Sequence, residues 1–449
     1  MSEAVTTSRP PQHPRIKRSH VTAWAMWDWG SAAFNAVMIT FVFGTYLASD
    51  AFGPDDRGTS WLAAGNAIAG AIIALTAPII GQRADNDGRR TLWLGVNTGL
   101  VVATMAACFF VQRQESFLLL GVILLSAGNV FFEFAGVQYN AMLVKIATQS
   151  TIGRISGIGW GAGYLGGIFL LLIVYVGFIS GETHWFGITN DDAMNIRVVA
   201  VFAALWFLTF ALPILVVMRN REATPAARSQ RGSIVQSYRQ LFSTIADLWK
   251  NRRNTFWFYV SSAVFRDGVG AVFAYGAILG TTVYGVDPGQ ILFFGIAANV
   301  VAAAGAFIGG FFDDRFGPKR IIVISLLGLI VSAVIIFVQN GTLAFWIWGL
   351  FLCFFVGPVQ SSSRAFLGRL TTAQTAGEMY GLYATTGRSV SFLTPLLIAI
   401  FVGTFGESRM MVPAIVLVLV AGLVLLWFVR DPKTSDEVPV LTDVTEPRG

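Results

Sequence analysis

The chain has 449 residues and a net charge of +6, with 55% hydrophobic and only 12% charged residues; its mean hydropathy is +0.64. Soluble domains carry about twice that charged fraction, so a soluble globular protein is excluded, and the positive balance reflects loop bias rather than nucleic-acid binding. Two cysteines, Cys108 and Cys353, each inside an apolar run, exclude a disulfide framework and a cysteine metal site.

The first twenty residues are polar, and the apolar run behind them is long and tryptophan-rich. That pattern predicts a tail leading into a span, not a cleaved signal peptide. Twelve apolar stretches follow at about 22–48, 61–81, 91–112, 117–143, 157–179, 197–218, 254–283, 290–312, 321–339, 343–367, 379–403 and 410–429, each near the ~20 residues that cross a hydrocarbon core. The expected organisation is a tail over 1–21, six spans over 22–218, a linker over 219–253, six spans over 254–429 and a tail over 430–449. Within the linker, Ile234, Tyr238, Leu241, Phe242, Ile245, Leu248 and Trp249 recur at helical spacing. They predict an amphipathic helix on the inner leaflet. The C-terminal tail has little apolar content, and disorder is its default.

Basic loops resist translocation. With the N-terminus inside, the cytoplasmic side collects Arg83, Arg89, Arg90, Lys145, Arg154, the cluster from Arg219 to Arg253, Arg315, Lys319 and Arg320, while the other side keeps Arg57, Arg113, Arg197 and Arg409. A multi-pass protein of the cell membrane with both termini cytoplasmic is expected.

The two six-span units repeat one another. After the second span stands GQRADNDGRR, with Gly81, Asp85, Gly88, Arg89 and Arg90; after the eighth stands GFFDDRFGPKR, with Gly310, Asp314, Arg315, Gly317, Lys319 and Arg320. Asp85 to Asp314 and Gly88 to Gly317 are both 229 positions apart. YNAMLVKIATQSTIGRISGIGWGAG aligns with SRAFLGRLTTAQTAGEMYGLYATTG at an offset of 224, pairing Lys145 with Arg369, Gly153 with Gly377 and Gly157 with Gly381. Both units start on the same side, so the duplication is parallel. Asp85 and Asp314 can accept from helix N-termini or Arg, and Gly88 and Gly317 permit tight turns, which reads as a gate.

The Gly, Asp, Gly, basic loop after spans two and eight is similar to the signature of the major facilitator superfamily. AWAMWDWGSAAFNAVMITFVFGTYL, YNAMLVKIATQSTIGRISGIGWGAGYLGG and GPVQSSSRAFLGRL with GLYATTGRSVSFLTPLL resemble the segments that mark the UMF1 group, to which the fungal vacuolar amino-acid effluxers belong. The resemblance implies an all-α membrane protein of twelve transmembrane helices in two pseudo-symmetric six-helix bundles. Spans one, four, seven and ten would then line a central cavity about which the halves rock. The first loop departs from the pattern, with Asn86 where the superfamily often has Arg and the second loop has Arg315, which puts the symmetry of the two gates in question.

Charge inside hydrocarbon costs ~3 kcal/mol or more per group, so each ionisable residue there needs a partner or a wet cavity. The candidates are Asp28, Glu133, Arg266, Asp267, Arg364 and Arg388. Glu133 lies among Phe131, Phe132 and Phe134, where an ionised carboxyl is costly without a cation; a proton carrier is one reading, an ion pair with an Arg of the other half the other. Arg266 and Asp267 are neighbours whose side chains diverge on a helix and are expected to pair with other spans. A cavity Arg can fork onto a substrate carboxylate. Arg364, near the cytoplasmic end of its span, is expected to snorkel, and Arg388 to pair with Asp85. Asn35, Gln138, Tyr139, Asn140, Tyr164, Gln360 and Tyr383 offer neutral hydrogen bonds, to a solute or to a neighbouring helix. Trp24, Trp27 and Trp29 are expected at the interface.

No phosphate-binding loop is visible. His13 and His20 lie in the tail and His184 in an outer loop, which makes a membrane enzyme a weak rival. No cofactor and no metal are expected. The expectation is a secondary transporter of a small polar solute, an amino acid or similar zwitterion, with protons and the lipid bilayer as further partners, no nucleic acid, and a monomeric state. An exporter of drugs, sugars or other metabolites, and a transporter-like sensor or scaffold, are the alternatives.

Overall fold

A computed structural model describes residues 17–53, 57–180, 184–219 and 234–432. Most of the N-terminal tail, the linker before its helix and the C-terminal tail beyond Pro432 lie outside the described residues. Among the described residues the structure is helical, without strands.

Every apolar stretch predicted from sequence forms a span. They are Arg18–Leu47, Arg57–Asp87, Arg90–Phe110, Glu115–Ile146, Ile152–Ile179 and Asp191–Val217 in the first half, and Arg253–Thr282, Gly289–Phe316, Pro318–Val338, Thr342–Arg369, Ala376–Phe405 and Ser408–Leu426 in the second. Large apolar side chains such as Leu75, Phe293 and Val424 remain exposed, as surfaces that meet lipid require. Two spans are interrupted. The first passes through a π-helical stretch, Ala33–Phe41, and the eleventh breaks between Ala376–Val390 and Leu393–Phe405.

Two crossings join the halves: span two packs on span eleven, and span five on span eight. Lipid tails are as apolar as leucine, so such contacts gain from close van der Waals approach, which small residues allow. At the first crossing a Cβ on Gly81 would strike the Gly377 carbonyl, and one on Gly381 would come within 2.5 Å of Pro78 Cα. At the second, a Cβ on Gly310 would come within 2.7 Å of the Gly153 carbonyl, and one on Gly157 would strike the Ala306 carbonyl. The glycines of the two crossings are therefore partners in the repeat, and the same packing is made twice.

The predicted linker helix is present as Ile234–Lys250. It buries Leu241 and Leu248, packs on spans two and seven, and the Tyr238 hydroxyl donates to the Leu75 carbonyl at 3.2 Å. Val235, Phe242 and Trp249 stay exposed.

The expected interfacial role of Trp24, Trp27 and Trp29 is corrected by the structure. Trp24 is 0% and Trp27 2% exposed, and both stack on Tyr139, with ring centroids 4.5 and 4.3 Å apart. Trp24 Nε1 donates to the Tyr139 carbonyl at 3.0 Å and Trp27 Nε1 to Thr98 Oγ1 at 3.2 Å. Trp29, half-buried, lies 5.3 Å from the Phe169 ring. An indole N–H with a partner can be buried without penalty.

Replacing Gly381 with Leu should wedge the first crossing toward the about 8–10 Å spacing of ordinary helix pairs. Spin labels on Ser150 and Gln374, which are exposed and equivalent in the repeat, report this. Their separation should lengthen relative to the unsubstituted glycine, and an unchanged distance would refute tight packing as the constraint.

Candidate functional site

The repeated loops meet helix ends across the two crossings. Asp85 accepts from the backbone N–H of Gly377 and Glu378, at 3.1 and 3.0 Å, where span eleven begins. Asp314 accepts from the N–H of Gly153 and Arg154, at 2.8 and 3.0 Å, where span five begins. Gly377 and Glu378 stand 224 positions after Gly153 and Arg154, so one cap is the copy of the other. The first four N–H groups of a helix lack internal partners and carry the positive end of its dipole, so a carboxylate there is doubly favoured. Gly88 (φ +62°) and Gly317 (φ +93°) turn the chain behind each carboxylate.

The cations that complete the two caps differ. Asp85 pairs with Arg90 of its own loop, which also donates to the carbonyls of Ala141 and Ala373, both at 3.1 Å. Asp314 pairs with Arg369 of span ten at 3.1 Å, and Arg369 also holds the fully buried Asp313 at 2.5 Å. The carboxylate caps are thus symmetric despite Asn86. Arg89 and Arg315 are exposed and Lys319 is half-buried; Arg315 rests over its neighbour Phe316.

Above this closed seam lies a cavity of about 350 Å³ lined by Glu133, Arg266, Asp267, Tyr275, Gln360 and Arg388. A narrower recess of about 70 Å³ shares Glu133, Arg266 and Gln360 with it and adds Asn140, Arg364 and Tyr383. Eight of the thirteen polar candidates thus converge, and Tyr139 donates to Asp28 at 2.9 Å. Gln138 is buried elsewhere and donates to the Ile80 carbonyl at 3.5 Å. Tyr164 stacks near Phe273 at 6.4 Å, and Asn35 is exposed on the π-helical stretch. Asp28 reaches the recess through Arg364. A larger cavity of about 550 Å³ lies away from these charges, between Phe41, Tyr46, Arg113, Tyr175 and Asn195.

Two sequence expectations about arginines are corrected. Arg388 pairs with Glu133 and donates to Asn129 Oδ1 at 3.3 Å, not with Asp85, which belongs to Arg90. Arg364 does not snorkel. It is 4% exposed and crosses the seam to donate to Asp28 and Asn140 (both 3.2 Å), Ser156 Oγ (2.9 Å) and the Ser156 carbonyl (2.7 Å). Its guanidinium also lies 4.8 Å from the Trp24 ring, which explains why that tryptophan is buried.

Arg266 and Asp267 do turn to other spans. Arg266 stacks over the Tyr383 ring at 3.8 Å and donates to the Tyr383 carbonyl at 3.2 Å. Asp267 accepts from the N–H and hydroxyl of Thr394, at 2.7 and 2.6 Å, where span eleven resumes after its break. Among the described residues neither has an ionic partner.

Residues 16–438 match the family model described as "Vacuole effluxer Atg22 like". The chain belongs to that family. It is similar to the uncharacterized MFS-type transporter YxiO of Bacillus subtilis, 26% identical over 92% of this chain and 95% of that one. It is also similar to autophagy-related protein 22-1 of Aspergillus fumigatus, 23% identical over 66% of this chain and 51% of that one; the chain spans about half the length of that fungal relative. Among solved structures, the proton:xylose symporter XylE superposes with a TM-score of 0.71 at 14% identity, over 92% of this chain and 96% of that one. FucP in its outward conformation gives 0.67 at 14% identity, over 92% and 99%. At that identity the likeness establishes the fold, and this Atg22-like protein is a multi-pass membrane transporter with the twelve-helix major facilitator fold.

Sequence reading passed over four residues of the transporter's seam. Asp313 has Ala84 at its repeat position, and Arg369 stands out in sequence only as the repeat partner of Lys145. Ser156, which binds Arg364, and Glu378, beside the Asp85 cap, drew no notice. The doublet Asp313–Asp314 and the exchange of Arg154 for Glu378 between repeats were the available signals.

Changing Asp85 to Asn keeps the shape but removes the charge, and hydrogen bonds to charged groups contribute about 1.5–3 kcal/mol. The seam should open more often, so the Ser150–Gln374 distance distribution gains a longer component. A distribution identical to that of the unaltered protein would refute the cap as the closing contact.

Proposed function

We propose that this transporter moves an amino acid or similar zwitterion by alternating access, with proton coupling at Glu133. The observation that carries the solute class is the pairing pattern of the cavity. Glu133 and Arg388 neutralise one another across the halves, whereas Arg266 and Asp267 line the same cavity without ionic partners. A cation and an anion left for a ligand suit a molecule carrying one charge of each sign, its carboxylate forking onto Arg266. A cavity of about 350 Å³ is within the range of small-molecule sites.

The seam supports the transport cycle. The caps and the Arg364 bridge close the end that carries the repeated loops, and the cavity extends away from it along spans seven and eleven, from Tyr383 to Pro395. Rocking the halves would exchange the open end, as in transporters built from two repeats. Glu133 is 29% exposed on its side chain and can lose Arg388 when the halves separate, which frees the carboxylate to take a proton. By the loop charges, the closed end faces the cytoplasm.

Counterflow in proteoliposomes tests both parts. Labelled amino acids should exchange and sugars should not; Arg266 to Gln should reduce amino-acid counterflow at least about tenfold, the worth of one charge-assisted contact. Exchange of sugars with equal efficiency would overturn the zwitterion. Glu133 to Gln should abolish proton-driven uptake while part of the exchange survives, and equal loss of both would assign Glu133 a structural role.

A further inference from the structure

We infer that Glu378 is a proton-binding site in the seam, protonated while the end with the repeated loops is closed. The inference rests on the alternating-access reading but not on the identity of the solute or on Glu133. Glu378 opens span eleven and is only 7% exposed. The groups around it come from four elements: Gln82 and Asp85 of span two, Arg90 of span three, Thr244 of the linker helix and Tyr259 of span seven. The cluster therefore holds two carboxylates and the guanidinium of Arg90, which is committed to Asp85 and to two backbone carbonyls; Arg252, which acts on Tyr259 from the start of span seven, donates to the Leu370 carbonyl at 2.8 Å. Tyr259 is occupied too, its hydroxyl donating to the Met379 carbonyl at 2.8 Å.

The helix N-terminus does not resolve the surplus charge. It favours one carboxylate, and Asp85 takes both N–H groups, including that of Glu378 itself. The Glu378 carboxyl meets the side chains of Thr244 and Gln82, yet its buried Oε1 and both amide atoms of Gln82, which is 2% exposed, are left without a hydrogen bond of regular geometry. Buried polar atoms are rarely orphaned unless a further group completes them. A proton on Glu378 does this: the carboxylic acid can donate to the amide oxygen of Gln82, while one net negative charge is removed from a dry seam. At the other crossing the position equivalent to Glu378 is Arg154, which is exposed, and the second carboxylate there, Asp313, is paired with Arg369 at 2.5 Å, whereas Glu378 has no ionic partner among the described residues. When the proton leaves, Glu378 is a charged carboxylate beside Asp85 with no ion pair of its own, and parting of the halves admits the water that stabilises it. The closed seam is then favoured at low pH and its opening at high pH.

The test is a pH titration of the spin-label distance between S150C and Q374C in lipid nanodiscs; the native Cys108 and Cys353 are buried and escape labelling. In the otherwise unaltered protein the longer component should grow with pH, by no more than about tenfold per pH unit, the limit for one proton. E378Q, a neutral isostere, should stay closed throughout, and E133Q should keep the pH response. The inference is overturned if E378Q follows the unaltered protein, if E133Q alone abolishes the response, or if G381L lengthens the distance while the unaltered protein shows no pH dependence. Labels that stay fixed under every change, G381L included, would instead defeat alternating access and this inference with it.

Discussion

Two aspartates, each seated on the exposed start of a helix from the opposite half, hold the molecule in the form described. Each takes two backbone N–H groups at 2.8–3.1 Å, and each is brought there by a glycine crossing that lets two backbones nearly touch. In lipid the hydrophobic effect does not drive helices together, so directional contacts and close packing must decide which surfaces meet. Because the carboxylates and the helix ends lie in different halves, the same contacts that give cohesion also define what must separate for the cavity to face the other way.

The cavity follows from that closure. With one end drawn together, the polar residues of spans four, seven, ten and eleven are left facing a space bounded below by Arg364 and its partners. The distribution of partners within this space is uneven. Arg364 is saturated by Asp28, Asn140 and Ser156, whereas Arg266 is held by a ring face and one carbonyl. A saturated guanidinium acts as a strut; one resting on an aromatic face keeps most of its donors for something else.

Sequence and structure agree where the signal is one-dimensional. All twelve spans were legible because crossing hydrocarbon demands length and apolarity, and the caps were legible because a repeated Asp needs a repeated reason. Azimuth and partner choice were not. Arg364 sits near the end of its span in sequence, where snorkelling is the ordinary outcome, but it points inward to a recess built with four other spans. Arg388, expected behind the cavity and therefore on the loop carboxylate Asp85, pairs instead with Glu133 of span four. The tryptophans were misplaced for the same reason: hydropathy locates them near a boundary and says nothing of an arginine waiting beneath. Asp313 and Glu378 carry no such signal, because each stands where the other repeat has a different residue, Ala84 and Arg154.

The interruption of span eleven at Ser391 and Phe392 divides one membrane helix between two allegiances. Its first segment, Ala376–Val390, lies against spans two and four of the opposite half as well as span seven of its own; its second, Leu393–Phe405, lies against spans seven and twelve of its own half. A continuous rod would transmit any tilt from one side of the bilayer to the other. A jointed one lets the second segment move while the first stays seated, so that the two ends of the cavity need not change together, with Asp267 as the tether at the joint.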